Sequence, residues 1–185
     1  MSTPELQPMP KGRVEQVLVT KQSVAASQLE SAIWLWFQEG DPISVHTLAV
    51  AAHDCFHALL RHAGKSSDWE DWVKSKSKEF QKQMRVSQNF FKHGHKELKA
   101  KLLYPTIQGE MLMMDAVTCY ELLHNKPTGL MRLYAQRFLY EHPSIIAEDA
   151  LPAFAKNAEI HQLANSTRKE FFEKLIGIFI ARYGK

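Results

Sequence analysis

The sequence lacks the short motifs that mark several common enzyme classes. Its eight glycines are scattered, so there is no glycine-rich phosphate loop, and no Gly-x-Ser-x-Gly nucleophile elbow is present. There are two cysteines, Cys55 and Cys119, and both lie within apolar helical patterns. We therefore expect each to be a small buried hydrophobic residue rather than a nucleophile. The absence of closely spaced cysteine pairs is typical of a reducing compartment.

Long hydrophobic runs and targeting features are also missing. Residues 1–10 have neither a positively charged start nor an apolar centre, so we expect no secretory signal. No run of uninterrupted apolar residues approaches the roughly 20 that a membrane-spanning helix requires. These observations predict a soluble, cytoplasmic protein with no membrane partner. The prolines and glycine of the first dozen residues predict a flexible lead-in over residues 1–20.

What the sequence does contain is typical of one helical domain. The chain has 185 residues, of which 45% are hydrophobic and 23% charged, which is ordinary globular composition. Apolar residues recur at spacings of three and four, and no segment shows sustained alternation of β-branched residues. We predict an all-α, single-domain bundle of about five to seven helices over residues 21–185.

Several helix boundaries can be assigned from capping residues. Asp41-Pro42 predicts the start of a helix that ends before Gly64, because Asp caps the first turn and Gly suits a C-terminal turn. Ser67 predicts the next start. The periodicity leaves open whether that helix is continuous or kinked near Val86. A last helix is predicted over residues 154–183.

Positive charge is concentrated in one quarter of the chain. Residues 61–101 carry 11 basic and 5 acidic side chains, whereas residues 1–60 carry 3 and 6. Such a cluster is either a solvated helix face or a surface that contacts phosphate groups.

The segment Arg85-Val-Ser-Gln-Asn-Phe-Phe-Lys-His93 lies within this basic quarter. Asn89 and His93 are four residues apart, and Arg85 precedes Asn89 by four, so the three share one helix face. Together they can bind a phosphate and provide a group that titrates near neutral pH. Lys92 and His95 would lie at the rim. A structural role, in which Asn89 and His93 cap a helix end, is the alternative.

This segment resembles the motif of the HEPN helical bundles, in which an Arg followed by a polar residue precedes a His. The resemblance implies a homodimer and, in active members, metal-independent RNA cleavage by the His and Arg. Here Gln88 stands where the motif's Arg is expected, and Arg85 lies one turn earlier. We therefore expect a nucleic-acid or nucleotide-binding protein without a cofactor, and a degenerate ribonuclease using Arg85, Asn89 and His93. The segments 40–48 and 89–93 also resemble uncharacterised bacterial helical proteins.

Histidine is abundant, with nine residues, and three of them form a stripe on one predicted helix. His46, His53 and His57 fall within about 40° of one another, at the edge of the apolar face. His53 and His57 are four residues apart, a spacing at which two imidazoles can share zinc or another divalent ion. His46 is a more distant candidate. Further ligands would come from another helix. The candidates are His93, His124 and Asp115.

A third interpretation involves no chemistry. The polar stripes would then serve a dimer interface, and acidic pairs such as Glu70-Asp71 would be helix-start charges in solvent.

Overall fold

The computed structural model describes residues 17–93, 98–145, 163 and 165–184. The described residues form eight α-helices and one 3₁₀ turn, with no strand among them. The prediction of an all-α bundle is therefore confirmed. The helices are α1 (Lys21–Phe37), α2 (Pro42–His62), α3 (Asp68–Lys74), α4 (Lys78–Met84), α5 (Val86–Lys92), α6 (Ile107–His124), α7 (Gly129–Glu141) and α8 (Arg168–Tyr183), with the 3₁₀ turn at Pro143–Ile145.

The five longer helices enclose the core, with α2 packed between α1 and α6 and with α7 packed against α8. Apolar side chains spaced three and four apart supply its buried faces. The largest fully buried apolar side chains are Leu29, Ile33, Phe37, Phe56, Leu60, Met113, Met131, Leu133, Tyr134, Phe138 and Phe171. The arrangement places the sides of α2 and α6 opposite one another along much of their length.

The predicted start and end of α2 are confirmed. The Asp41 carboxylate accepts a hydrogen bond from the Ser44 backbone amide at 2.8 Å, and Pro42 is the first helical residue. At the other end, Gly64 has a φ of 69°, a left-handed conformation that glycine adopts without strain. This helix is long and apolar enough to cross a membrane by length and composition, with a mean hydropathy of 1.2, but it is packed here within the bundle.

The helix predicted after Ser67 is more broken than expected, which raises the count of helices among the described residues above seven. The segment after Ser67 forms α3, α4 and α5, with breaks at Ser75 and Arg85. Ser77 caps a new helix through the Phe80 amide, and neither α3 nor α4 contains a buried residue to hold them in line. The single helix predicted over 154–183 is wrong in its continuity, because residues 165–167 are not helical and a capping box at Thr167 starts α8 at Arg168. Residues 154–162 lie outside the described residues.

Candidate metal centre

Three side chains that can bind a metal converge between α2 and α6. The Nε2 atoms of His53 and His57 lie 2.9 and 2.6 Å from the same carboxylate oxygen, Oδ2 of Asp115. The two histidines are one helical turn apart on α2, so their rings stack toward the same side, with centroids 4.2 Å apart. Asp115 is buried on the facing side of α6. The ligand atoms of all three lie within 4.8 Å of one another.

The Nε2 atom of His53 is buried but has no hydrogen-bond partner among the described residues. Oδ2 of Asp115 lies 2.9 Å away, but not in the direction in which the ring N–H would donate a hydrogen bond. A buried polar atom without a hydrogen bond is unfavourable, and native proteins rarely contain one. A metal ion would satisfy this nitrogen. Zn²⁺ binds histidine nitrogen and carboxylate oxygen at about 2.0–2.2 Å. To admit the ion, the distances from Nε2 of His53 and Nε2 of His57 to Oδ2 of Asp115 need to increase by only roughly 0.5 Å.

Glu70, from the first turn of α3, holds the His57 ring from its other side. Its Oε2 atom accepts a hydrogen bond from Nδ1 of His57 at 3.1 Å. Arg61 and Lys74 in turn contact Oε1 of Glu70 at 2.9 and 3.0 Å. A carboxylate on Nδ1 leaves Nε2 free to bind a metal, which is the common arrangement around metal-binding histidines.

The charges in this centre depend on one another. Burial is the largest single effect on His57 and works against its protonation, but the contacts with Asp115 and Cys119 together outweigh it and raise the pKa to about 9. For Asp115, burial opposes ionisation, while the two histidines lower the pKa to about 2. Burial likewise opposes ionisation of Glu70, but Lys74, His57 and Arg61 bring its pKa to about 2. Without metal, His57 is therefore an imidazolium between two carboxylates, and a metal ion would replace its proton.

Cys119 lies beside this centre, one turn after Asp115 on α6. Its Sγ atom is 3.7 Å from Nε2 of His57 and 3.9 Å from Oδ2 of Asp115. The thiol is fully buried, and burial raises its pKa. A protonated, inaccessible thiol is a poor nucleophile. The expectation that Cys119 is buried and not a nucleophile is consistent with this position, although a histidine does lie next to it in space.

A cleft of about 240 Å³ leads to the two histidines from the side of the short helices. Helices α3 and α4 form its outer wall, and α2 forms its floor. Its charged and polar lining residues are His53, Asp54, His57, Arg61, Glu70, Lys74, Gln81, Arg85 and Gln88. Two of the three candidate ligands, His53 and His57, therefore border a cavity that also carries basic side chains.

Arg85, Asn89 and His93 were predicted to share one helix face, but in the structure they lie in different surroundings. Arg85 is the junction between α4 and α5 and lines the cleft, while Asn89 is exposed and is not among the lining residues. His93 is the C-cap of α5, where its backbone amide donates to the Asn89 carbonyl. Lys92 lies 3.5 Å from Asp54, and His95 falls outside the described residues.

His46 lies on α2 like the other two histidines, but its side chain has different neighbours. Its ring packs against Phe91 and Tyr104, with centroids 5.2 and 5.0 Å away, and it is not in the group with Asp115. Burial lowers its pKa to about 4. The prediction that the histidines lie at the edge of the core is wrong for His46 and His57, which are buried because α3, α5 and Tyr104 cover this side of α2.

Sequence reasoning named Asp115 among several candidates for a third ligand and missed Glu70, which was interpreted as a solvated helix-start charge. The signal for Asp115 and Cys119 was their spacing of four on an apolar helix, the same spacing as His53 and His57. His124, another candidate, lies elsewhere against Gln22 and Tyr120. Comparison with protein-family models, curated proteins and solved structures found no match to this chain.

Proposed function

We propose that this protein binds a divalent metal ion, with zinc as the first candidate, through His53, His57 and Asp115. The observation that carries the proposal is the convergence of three ligand atoms within 4.8 Å of one another, one of them a buried His53 nitrogen with no hydrogen bond among the described residues. Two nitrogens and one oxygen form a ligand set that zinc uses where a further position remains for an outside ligand.

The surroundings of the three ligands support the same function. Glu70 orients His57 as carboxylates do around many bound metals. The cleft gives an outside molecule access to the metal. A metal open to a cleft can bind and polarise an oxygen of a ligand, which is the basis of metal-assisted hydrolysis. A helical bundle implies no particular activity by itself, so the function is inferred from the residues of the site.

Elemental analysis of protein purified without an affinity tag, followed by calorimetric titration of metal-stripped protein with Zn²⁺, tests this function. We expect one ion per chain, and proton release on binding because His57 gives up its proton. Sub-stoichiometric metal after saturation with Zn²⁺ would remove the proposal.

A second candidate function is nucleic-acid or nucleotide binding by a HEPN-like homodimer, with metal-independent RNA cleavage as its strongest form. Its support is the position of Arg85 on the wall of the cleft and the exposed lysines of the neighbouring short helices. Cleavage of a mixed RNA pool in excess chelator, lost in His93→Ala, would establish it. Binding that is unchanged between roughly 50 and 200 mM salt would exclude it, because phosphate contacts release counterions.

A further inference from the structure

The cleft contains an arginine that no described residue neutralises. Arg85 lines the cavity, and its guanidinium makes no hydrogen bond or ion pair with the described part of the chain. The other two cations in the lining, Arg61 and Lys74, already share the Glu70 carboxylate. Arg85 is thus the cation that remains available to a molecule entering the cleft.

Once a metal binds, the two histidines are its neutral ligands, and the charge of the cleft is set by the side chains around them. Three lining cations (Arg61, Lys74 and Arg85) stand against three carboxylates (Asp54, Glu70 and Asp115), and Lys92 also contacts Asp54 at 3.5 Å. A divalent ion therefore leaves at least two positive charges in excess, inside a partly enclosed cavity where charges interact more strongly than in water. A ligand with two negative charges would restore the balance.

We infer that, with metal bound as proposed above, the cleft takes a phosphate monoester or inorganic phosphate as a dianion. One phosphate oxygen binds the metal held by His53, His57 and Asp115, and the guanidinium of Arg85 donates to the others. Planar guanidinium groups match phosphate geometry and can donate two parallel hydrogen bonds to it. A cavity of about 240 Å³ suits a phosphate with a small organic group, because it is below the usual size of a drug-sized pocket.

The test uses the full chain loaded with one equivalent of Co²⁺, whose visible spectrum changes when a ligand binds the metal. Inorganic phosphate, phenyl phosphate and diphenyl phosphate are titrated separately near pH 7.5, in a buffer without phosphate. We expect saturable spectral changes with the first two. Diphenyl phosphate carries a single negative charge, so its affinity is expected to be at least roughly tenfold weaker.

The matched variants are Arg85→Gln in the cleft and Arg182→Gln on the exposed last turn of α8. Arg85→Gln is expected to weaken phosphate binding roughly 10–100-fold while Co²⁺ affinity stays the same, since charged hydrogen bonds contribute on that scale. Arg182→Gln should match the native protein.

The possible failures are distinguishable. If Co²⁺ does not bind, the proposed metal centre itself is wrong. If Co²⁺ binds and none of the three probes changes its spectrum, the phosphate inference alone is overturned. Equal affinity for diphenyl phosphate would overturn the assignment to monoesters, and phosphate binding unaffected by Arg85→Gln would overturn the role of the arginine.

Discussion

Two groups of three potential metal ligands lie within the described part of the chain, and they are filled in different ways. In the first, His53 and His57 approach one oxygen of Asp115 and a buried nitrogen stays without a hydrogen bond. In the second, a guanidinium lies between Glu110 and Glu141, and His142 contacts Glu110. Arg168 lies 3.0 Å from Glu110 and 2.6 Å from Glu141.

The difference between the two groups lies in what balances the carboxylates. Arg168 fills the second group and also lies 3.9 Å above the Trp36 ring, while Arg137 donates to the second oxygen of Glu141. Every ligand atom there already has a partner, so a metal would have to displace a well-held guanidinium. In the first group, the positive charge that balances the carboxylates is only the proton on the His57 imidazole. A cluster of ligand-type side chains therefore indicates a metal site only where no built-in cation occupies it.

The most direct test of this difference is to replace one histidine by glutamine in each group. His53→Gln should lose stoichiometric zinc binding, because it removes one of three ligands, whereas His142→Gln should bind zinc as the native protein does. Calorimetric titration of both stripped variants checks this. Equal losses in the two variants, or a loss confined to His142→Gln, would contradict the assignment.

Removing the cation of the second group should destabilise the fold. Arg168→Met leaves Glu110 and Glu141 facing one another, half-buried and without their main partner. We expect a loss of about 3–4 kcal/mol in the free energy of unfolding, the lower part of the range for a broken buried ion pair because Arg168 is 27% exposed. Denaturant unfolding measures it, with Arg182→Met as the exposed control. A loss no larger than that of the control would show that the network contributes little.

A third histidine, His46, tests what burial does in the absence of a carboxylate. Its pKa in the folded chain is about 4, below the ordinary value of 6.5, so the unfolded chain takes up this proton first as the pH falls. Stability should therefore decline between about pH 6.5 and 4, by roughly 2–3 kcal/mol from this residue. Denaturant unfolding of native protein and His46→Leu at pH 7 and pH 4 isolates the effect. The variant should lose less; identical losses would contradict the assignment.

The smallest expected effect comes from the residue behind the metal ligands. Glu70→Gln keeps the size of the side chain but removes the carboxylate that contacts Nδ1 of His57. Loss of such a partner usually weakens metal binding by about 10–100-fold. Zinc competition with a chromophoric chelator measures the change. Glu121→Gln, on the exposed part of α6, is the control. Unchanged affinity in Glu70→Gln would mean that this carboxylate does not support the site.

The sequence predicted the start and end of α2 well because both are set locally. Asp41-Pro42 and Gly64 each act within one turn of the chain, so their effect can be assigned without tertiary information. The breaks at Ser75 and Arg85 were harder, because α3 and α4 bury no residue and only the weak preference of Ser77 for a cap divides them.

The candidate site was predictable only in part, for a physical reason. The spacing of His53 and His57 is visible in the sequence, since both lie on one helix. The contribution of Asp115 depends on how α2 packs against α6, and that of Glu70 depends on how a short helix folds back over α2. Neither follows from local spacing. The position of Arg85 on the same cleft likewise depends on the break between α4 and α5.

The most direct test of the metal centre is diffraction from crystals grown with one equivalent of Zn²⁺, recorded at the zinc absorption edge. We predict one anomalous peak between α2 and α6, about 2.0–2.2 Å from Nε2 of His53, Nε2 of His57 and a carboxylate oxygen of Asp115. No peak there, or a peak among Glu110, Glu141 and His142 instead, would contradict the central claim.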